Sequence, residues 1–260
     1  ADLTEESELA NAILNAWYGG EWGARAIVRA LFGEFSPCGK LPISFPRGVG
    51  RLPDYYSRLP GKNTHYIEGS PAALYPFGFG LSYTDFDIRF DALTAKGSKI
   101  TVTAEITNTG RCSGKEVVQL YASAPAGQLC KEYQSLCAFE KTQLLAPGES
   151  QVLELTFDMT QLASYRESDN CFVLEKGDYL LRLGNSSRNT HICAVVNLPW
   201  EVVVSRHEAV CPMKDKFEEL SAPERKTEDL TGISRFEMDP GAFVTERYTY
   251  KNPGICKDVR

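Results

Sequence analysis

Hydrophobic residues in the middle of the chain recur at every second position, which is the period of a half-buried β-strand. In the clearest run, Ile100, Val102, Ala104 and Ile106 alternate with Thr and Glu. Turn signals such as Asn108-Thr109-Gly110 and Pro147-Gly148 separate this run from others. The other strand-like segments are 117–121, 136–145, 152–157, 172–174, 179–183 and 191–204. About seven short strands with regular turns predict a mainly β chain with an immunoglobulin-like β-sandwich over residues 86–205.

At the start of the chain, apolar residues recur with a helical period instead of every second position. Leu9, Ile13 and Trp17 recur every four positions and predict a helix over residues 4–18 that Thr4 caps. A second helix is predicted over 24–32, and a short strand over 41–45. Two helices and one strand need a sheet to cover their apolar faces. We therefore expect residues 1–50 to be the end of an α/β domain whose other strands lie upstream.

Aromatic and glycine residues alternate between Tyr75 and Phe86, a stretch that we call the aromatic–glycine segment. Glycine allows close approach of another backbone, and aromatic rings need a partner that covers them. The pattern predicts a stiff connection packed between two bodies, or alternatively an ordinary loop that places its rings in a core. Residues 51–85 together are interpreted as linker and hinge, on which Tyr55-Tyr56 and His65-Tyr66 could pack.

Residues 206–260 are rich in charge and contain four prolines, so they are interpreted as a tail. The tail is disordered, wraps over the sandwich as an arm, or links to a further domain. Residues 213–220 could form one or two helical turns. Four aromatic residues favour docking on the rest of the chain: Phe236, Phe243, Tyr248 and Tyr250.

Composition narrows the choice of partner and compartment. The net charge of the 260 residues is −6 and the pI is about 5.3, so no basic surface favours nucleic acid or an anionic membrane. No apolar run approaches the roughly 20 residues of a membrane span. The eight cysteines are scattered without metal-ligand spacing, which favours reduced thiols and a bacterial cytoplasmic location. Secretion with disulfides is the alternative, and Asn185-Ser186-Ser187 would then be a glycosylation sequon.

Catalytic chemistry is sparse in this sequence. Glycoside cleavage needs paired carboxylates, and there are candidates near the aromatic–glycine segment, but each is better interpreted as a solvated loop residue or cap. The candidates are Glu21, Asp54, Glu68 and Asp85, with Trp22, Tyr55 and Tyr66 as possible sugar-stacking rings. His65, His191 and His207 fall in three separate segments and are interpreted as surface or packing residues. We assign no catalytic, cofactor-binding or metal-binding residue, and we expect no cofactor.

Several ordered blocks resemble glycoside hydrolase family 3. Residues 12–20, 26–33 and 36–46 resemble the end of that family's α/β-sandwich domain. The aromatic–glycine segment resembles the junction with its fibronectin type III-like domain, and 114–121, 145–149 and 184–188 continue the match within that domain. Residues 129–134 are a blurred form of the usual Arg-Pro-x-Lys-Glu-Leu, and no match extends beyond Arg206.

The resemblance implies retaining hydrolysis of β-linked glucosides or xylosides, with an Asp on a barrel domain and a Glu on the α/β-sandwich domain. Neither motif is present in this sequence, so the chain is expected to brace catalytic domains that lie elsewhere and to be inactive alone. The barrel could lie before or after this span. The rival hypothesis is a non-enzymatic carbohydrate-binding or adhesion module. The oligomeric state stays open.

Overall fold

A computed structural model describes residues 2–57, 72–208 and 228–249 of the chain. Several sequence interpretations fall outside these residues. They are the helical turns at 213–220, the ring of Tyr250, and the positions of His65, Tyr66 and Glu68.

The described residues are mostly strands, as the alternating pattern predicts. The two helices are α1 (Thr4–Leu9) and α2 (Gly23–Leu31). The strands are β1 (Phe86–Lys96), β2 (Lys99–Asn108), β3 (Val117–Ser123), β4 (Ser135–Lys141), β5 (Ser150–Asp158), β6 (Ser164–Arg166), β7 (Cys171–Leu174), β8 (Gly177–Ser186), β9 (Asn189–Leu198), β10 (Val202–Arg206), β11 (Ser234–Glu237) and β12 (Glu246–Arg247).

Two sheets face each other around a single apolar core. One sheet has the order β1-β2-β5 and the other β11-β9-β8-β3-β4. The alternating residues of β2 all point inward, since Ile100, Val102, Ala104 and Ile106 are each at most 1% exposed. They meet Leu120, Leu181 and Val196 of the opposite sheet in one cluster. This packing confirms the predicted mainly β sandwich.

The structure contains strands at both ends of the sandwich that the sequence pattern does not predict. Strand β1 is one of them, because a register shift between Phe90 and Ala92 interrupts the alternation of Phe86, Ile88 and Phe90. The segment 191–204 is two strands, β9 and β10, rather than one. Strand β10 leaves the main sheet and joins a small four-stranded sheet of order β12-β10-β7-β6.

The described part of the tail, residues 228–249, lies on the sandwich as an arm. Strand β11 pairs in parallel with β9, and β12 pairs in parallel with β10. Met238 is 2% exposed within the core cluster, while Phe236 and Phe243 pack against that cluster. The arm therefore covers one edge of each of two sheets. Of the three alternatives for the tail, these residues adopt the arm.

The opening of the chain is less regular than the sequence predicts. Helix α1 ends at Leu9 rather than residue 18, and Asp2 rather than Thr4 accepts the first hydrogen bond, from the Thr4 amide at 3.0 Å. The predicted strand over 41–45 is a single bridge between Phe45 and Tyr75. Helix α2 is nearly as predicted, yet its apolar residues Val28 and Leu31 are 50% and 64% exposed. The amphipathic pattern predicts an apolar face, but the described residues do not cover it.

Candidate functional site

A cluster of polar and aromatic residues lies at the junction where the opening of the chain meets the sandwich. Two extended stretches run side by side there, residues 36–45 and 74–84. The Leu41 amide donates to Phe79 O at 2.8 Å, and the Gly78 amide donates back to Leu41 O at 2.8 Å. The amide of Phe45 donates to Tyr75 O at 2.8 Å. The alternating residues 41–45 thus pair with the aromatic–glycine segment instead of entering a sheet.

Gly78 provides the close approach that its position in the aromatic–glycine segment predicts. Its φ is +78°, and a Cβ there would lie 2.2 Å from Gln119 Oε1. Gln119 projects from β3 and donates from Nε2 to Gly78 O at 3.0 Å and to Asn185 O at 2.8 Å. Tyr121 Oη donates to Gln119 Oε1 at 2.6 Å and so holds the amide in place. The Gln119 side chain therefore binds the backbone of the segment at Gly78, where any larger residue would collide with it.

An ion pair lies beside this contact. Lys40 Nζ is 2.7 Å from Glu116 Oε1, and the two side chains are only 10% and 6% exposed. Lys40 also donates to Gly80 O at 3.0 Å, while Glu116 accepts from the Val117 amide at 2.7 Å. Because water is almost excluded from the pair, burying its two charges costs free energy. The additional hydrogen bonds offset part of that cost.

Aromatic stacking closes the other side of the junction. Tyr56 stacks on Phe77 with ring centroids 4.3 Å apart and an interplanar angle of 18°. It also meets Tyr121 edge-on at 6.0 Å, and its hydroxyl accepts from the Leu136 amide at 3.1 Å. Burial raises the pKa of both Tyr56 and Tyr121 above the ordinary value of tyrosine. The interpretation that Tyr56 packs on the aromatic–glycine segment is confirmed.

Just before β1, the aromatic–glycine segment contacts both the opening of the chain and the sandwich. Ser36 Oγ and Ser82 Oγ lie 2.7 Å apart, and Tyr83 Oη donates to Ala30 O at 2.9 Å. Thr84 Oγ1 donates to Oδ1 of the buried Asn108 at 2.7 Å. Every few residues of the segment thus carry a specific polar contact. Together these contacts connect α2, residues 36–45 and the sandwich.

A second buried ion pair fixes the loop before β4. Lys131 and Glu175 contact each other with side chains 3% and 9% exposed. The amides of Gln128 and Leu129 donate to the same carboxylate at 2.6 and 3.3 Å. Burial opposes the charge of Glu175, but the bond from Lys131 and these amides hold its pKa below the ordinary value. The blurred motif at 129–134 therefore retains a lysine with a defined partner.

The sequence-selected chemical candidates do not converge at this junction. Glu21 and Asp85 are exposed, and Asp54 is half-buried. Trp22 and Tyr55 are 65% exposed, without a shared cavity that the structure describes. Within the described ranges, His, Cys, Asp and Glu form no group of three or more that could hold a metal ion.

Lys40, Glu116 and Gln119 are the residues that reasoning from residue types missed. Only Gln119 has a signal in the sequence, a polar residue between two apolar ones: Val118 and Leu120 are both fully buried. The sequon at Asn185 also has a structural role, since its Nδ2 donates to Glu116 Oε2 at 3.3 Å. The amide nitrogen that glycosylation would modify thus faces the buried ion pair.

The six cysteines in the described ranges are free, and two of them lie in the core region. They are Cys38, Cys112, Cys130, Cys137, Cys171 and Cys193. Burial raises the pKa of Cys137 and Cys193 to about 12, so both thiols stay protonated and unreactive at neutral pH. No helix in the described ranges is both long and apolar enough to cross a membrane.

The described residues form a fibronectin type III-like sandwich, to which the aromatic–glycine segment joins a small helical part. Residues 1–83 match the model of the glycosyl hydrolase family 3 C-terminal domain, and residues 116–187 match the model of the fibronectin type III-like domain. The chain belongs to glycosyl hydrolase family 3, as the resemblance of its sequence blocks predicts.

Individual relatives agree with this assignment. The chain is 38% identical over 180 residues to the periplasmic beta-glucosidase of Salmonella typhimurium, which covers 64% of this chain and 23% of that protein. It is 38% identical over 191 residues to a putative beta-xylosidase of Formosa agariphila, covering 70% and 24%. The structure of beta-glucosidase 3B from Thermotoga neapolitana in complex with alpha-D-glucose superposes with a TM-score of 0.68 at 32% identity, covering 78% and 30%. The chain spans about a quarter of the length of the curated relatives it matches.

Proposed function

We propose that this chain is the supporting part of a glycosidase that hydrolyses β-linked glucosides or xylosides. The observation that carries the proposal is the junction, in which Lys40–Glu116 and Gly78–Gln119 lock a family 3 C-terminal segment onto the sandwich. The relatives named above are β-glucosidases and a β-xylosidase, and each is about four times longer than the matched part. We divide the chain into the end of an α/β domain (1–50), the linker and hinge (51–85), the sandwich (86–205) and the tail (206–260).

The reactive carboxylates are proposed to lie outside these 260 residues, so we assign no catalytic residue here. The exposed aromatic and aliphatic residues of the opening support this proposal, because large apolar side chains in water are costly unless another body covers them. Tyr18, Trp22, Leu31 and Phe32 are each more than 60% exposed. Their proposed cover is the catalytic part of the protein.

The experiment compares the 260-residue chain with the intact protein that contains it. Both are assayed with p-nitrophenyl β-glucoside and β-xyloside at equal molar concentration. The intact protein is expected to turn over at least one substrate, whereas the chain alone is expected to show no turnover. Activity of the chain alone would place the catalytic groups within residues 1–260 and would overturn the proposal. Inactivity of the intact protein on β-glycosides would overturn the assigned reaction.

A bacterial cytoplasmic location is proposed from the free cysteines of the described residues, with secretion as the alternative that the periplasmic relative favours. Alkylation of the protein in intact cells, followed by mass analysis, distinguishes the two. Reduced thiols throughout fit the cytoplasm, and disulfide-bonded peptides would contradict it. The net charge of −6 supports a neutral sugar ligand rather than nucleic acid.

A further inference from the structure

Four aromatic rings form a continuous row across the four-stranded sheet, one from each strand or from the residues just after it. We call this row the aromatic stripe: Tyr165, Phe172, His207 and Tyr248. Successive ring centroids are 5.2, 5.3 and 5.0 Å apart. Neighbouring strands of a sheet lie about 4.8 Å apart, so the stripe has about one ring per strand, with a diagonal step between Phe172 and His207.

The register of the sheet explains why these side chains share one face. Tyr165 pairs with Phe172, and Phe172 pairs with Ser205 of β10. His207 lies two residues beyond Ser205, and Tyr248 lies two residues beyond Glu246, the partner of Ser205 on β12. Side chains two positions apart in extended backbone point to the same face. The row is therefore a property of the strand pairing and not of one loop.

Both ends of the aromatic stripe face solvent. Tyr165 is 41% exposed and Tyr248 is 52% exposed, whereas Phe172 and His207 between them are half-buried. Tyr248 stacks on His207 with an interplanar angle of 10°. Two hydrogen bonds hold the arm at this point, from Tyr248 N to Arg206 O at 2.9 Å and from Thr245 Oγ1 to Val203 O at 2.7 Å. These bonds hold the exposed ring of Tyr248 in a fixed position on the sheet.

Hydrogen-bonding groups border the rings along the same face. Tyr165 Oη donates to Asn170 Oδ1 at 3.0 Å, and the Tyr248 hydroxyl contacts the Glu246 carboxylate. Ser205 Oγ lies 2.8 Å from His207 Nε2. Exposed rings flanked by hydroxyl, amide and carboxylate groups match the two surfaces of a neutral sugar, which has an apolar C–H face and a rim of hydroxyls. The carboxylate and the net charge of −6 oppose a polyanion such as nucleic acid.

We propose that the aromatic stripe binds a neutral β-glucan chain, with sugar rings on Tyr165 and Tyr248 and hydroxyls bonded to Asn170 and Glu246. The choice of a β-linked glucan rests on the proposed function, while the existence of a sugar-binding surface rests on the stripe itself. A row of rings that spans four strands suits an extended polymer better than a small molecule, which binds preferentially in concave pockets.

The test is affinity electrophoresis of the 260-residue chain in native gels that contain soluble mixed-linkage β-glucan, with pullulan as the α-linked control polymer. The wild-type chain is expected to be retarded by β-glucan and not by pullulan. Tyr165→Ala and Tyr248→Ala are each expected to weaken binding about fivefold, the factor that about 1 kcal/mol of ring stacking represents. Tyr165→Phe keeps the ring and is expected to retain most of the binding.

Phe139→Ala is the matched control. Phe139 is an aromatic residue that is 65% exposed, and it lies on β4 of the five-stranded sheet, away from the stripe. Circular dichroism verifies that each variant is folded, and Tyr165→Ala leaves the arm untouched. No retardation of the wild type would overturn the aromatic stripe as a glucan site, as would unchanged retardation of both alanine variants. A wild-type chain that dimerises through these tyrosines without binding glucan would assign the surface to a second copy and also overturn the proposal.

The two experiments test the glucan-binding stripe and the proposed reaction independently. If the intact protein hydrolyses β-glucosides but the chain ignores β-glucan, only the stripe is wrong. If the chain binds β-glucan through Tyr165 and Tyr248 but the intact protein has no β-glycosidase activity, only the proposed reaction is wrong.

Discussion

Lys40 and Glu116 face each other across the junction, with Nζ and Oε1 2.7 Å apart and almost no access to water. Lys40 belongs to the opening of the chain, and Glu116 immediately precedes strand β3 of the sandwich. Because a buried charge without its partner is costly, the pair makes the position of one body depend on the other.

Lys40→Met is expected to lower the free energy of unfolding by about 3 kcal/mol, since it leaves the Glu116 carboxylate buried without its cation. Urea unfolding followed by tryptophan fluorescence measures the change. The control is the double variant Lys40→Met/Glu116→Gln, which removes both charges and keeps one amide oxygen that can accept from Val117 N. The double variant is expected to be more stable than Lys40→Met alone. Equal or greater loss in the double variant would contradict the ion-pair argument.

Gly78→Ala is expected to destabilise the chain more than Gly148→Ala. Both glycines have positive φ, +78° and +80°, so an added methyl costs each of them about 1–2 kcal/mol of backbone strain. Only at Gly78 does the methyl collide with Gln119, whereas a Cβ at Gly148 meets nothing within 4 Å. Urea midpoints of the two variants measure the excess. Equal midpoints would show that the close contact with Gln119 is not needed for stability.

Alternation in the sequence predicts the strands that form the centre of the sandwich because their burial is one-sided and regular. Val102 and Leu155 are paired across β2 and β5, and both are at most 1% exposed. The alternation does not predict strand β1, because its bulge changes which residues face inward between Phe90 and Ala92. An alternation that changes phase midway resembles no alternation when only the sequence is seen.

The junction could be predicted only in outline. Aromatic and glycine residues indicate close packing, but nothing in the order of residues indicates that Gln119 is the group that meets Gly78. The helix over 4–18 was overextended for a related reason. Leu9, Ile13 and Trp17 have helical spacing, yet a short helix draws most of its stability from packing, and these three residues are exposed here.

Acid is expected to weaken the loop before β4 through Glu175. Its pKa is depressed in the folded state, so its charge stabilises the fold above the unfolded pKa of about 4.5, and this contribution is lost as the pH falls below that value. Urea unfolding between pH 6 and pH 3 measures the loss. Lys131→Met removes the cation that lowers the pKa, so its stability is expected to fall less steeply with acid. A slope equal to that of the wild type would contradict the role of Lys131.

The arm is expected to contribute to stability more through its buried methionine than through its exposed ion pair with Asp178. Met238→Ala opens a cavity in the core and is expected to cost about 2–5 kcal/mol. Arg235→Ala breaks a pair with Asp178 whose side chains are 53% and 32% exposed, so the expected cost is at most about 1 kcal/mol. Thermal unfolding compares the two. A larger loss in Arg235→Ala would mean that the arm is held by charge at its surface.

Hydrogen exchange is expected to separate the opening of the chain from the sandwich. Helix α1 has no buried residue, and α2 buries only Ala30, so little apolar contact opposes their opening. Their amides are expected to exchange within seconds in the 260-residue chain, whereas amides of β2 and β8, which lie over the core, are expected to be protected for hours. In the intact protein the same helices are expected to gain protection, because the proposed catalytic part would cover Val28 and Leu31. Strong protection of α1 and α2 in the isolated chain would show that the opening is stable without that cover, and would remove the exposed apolar surface as support for the proposed function.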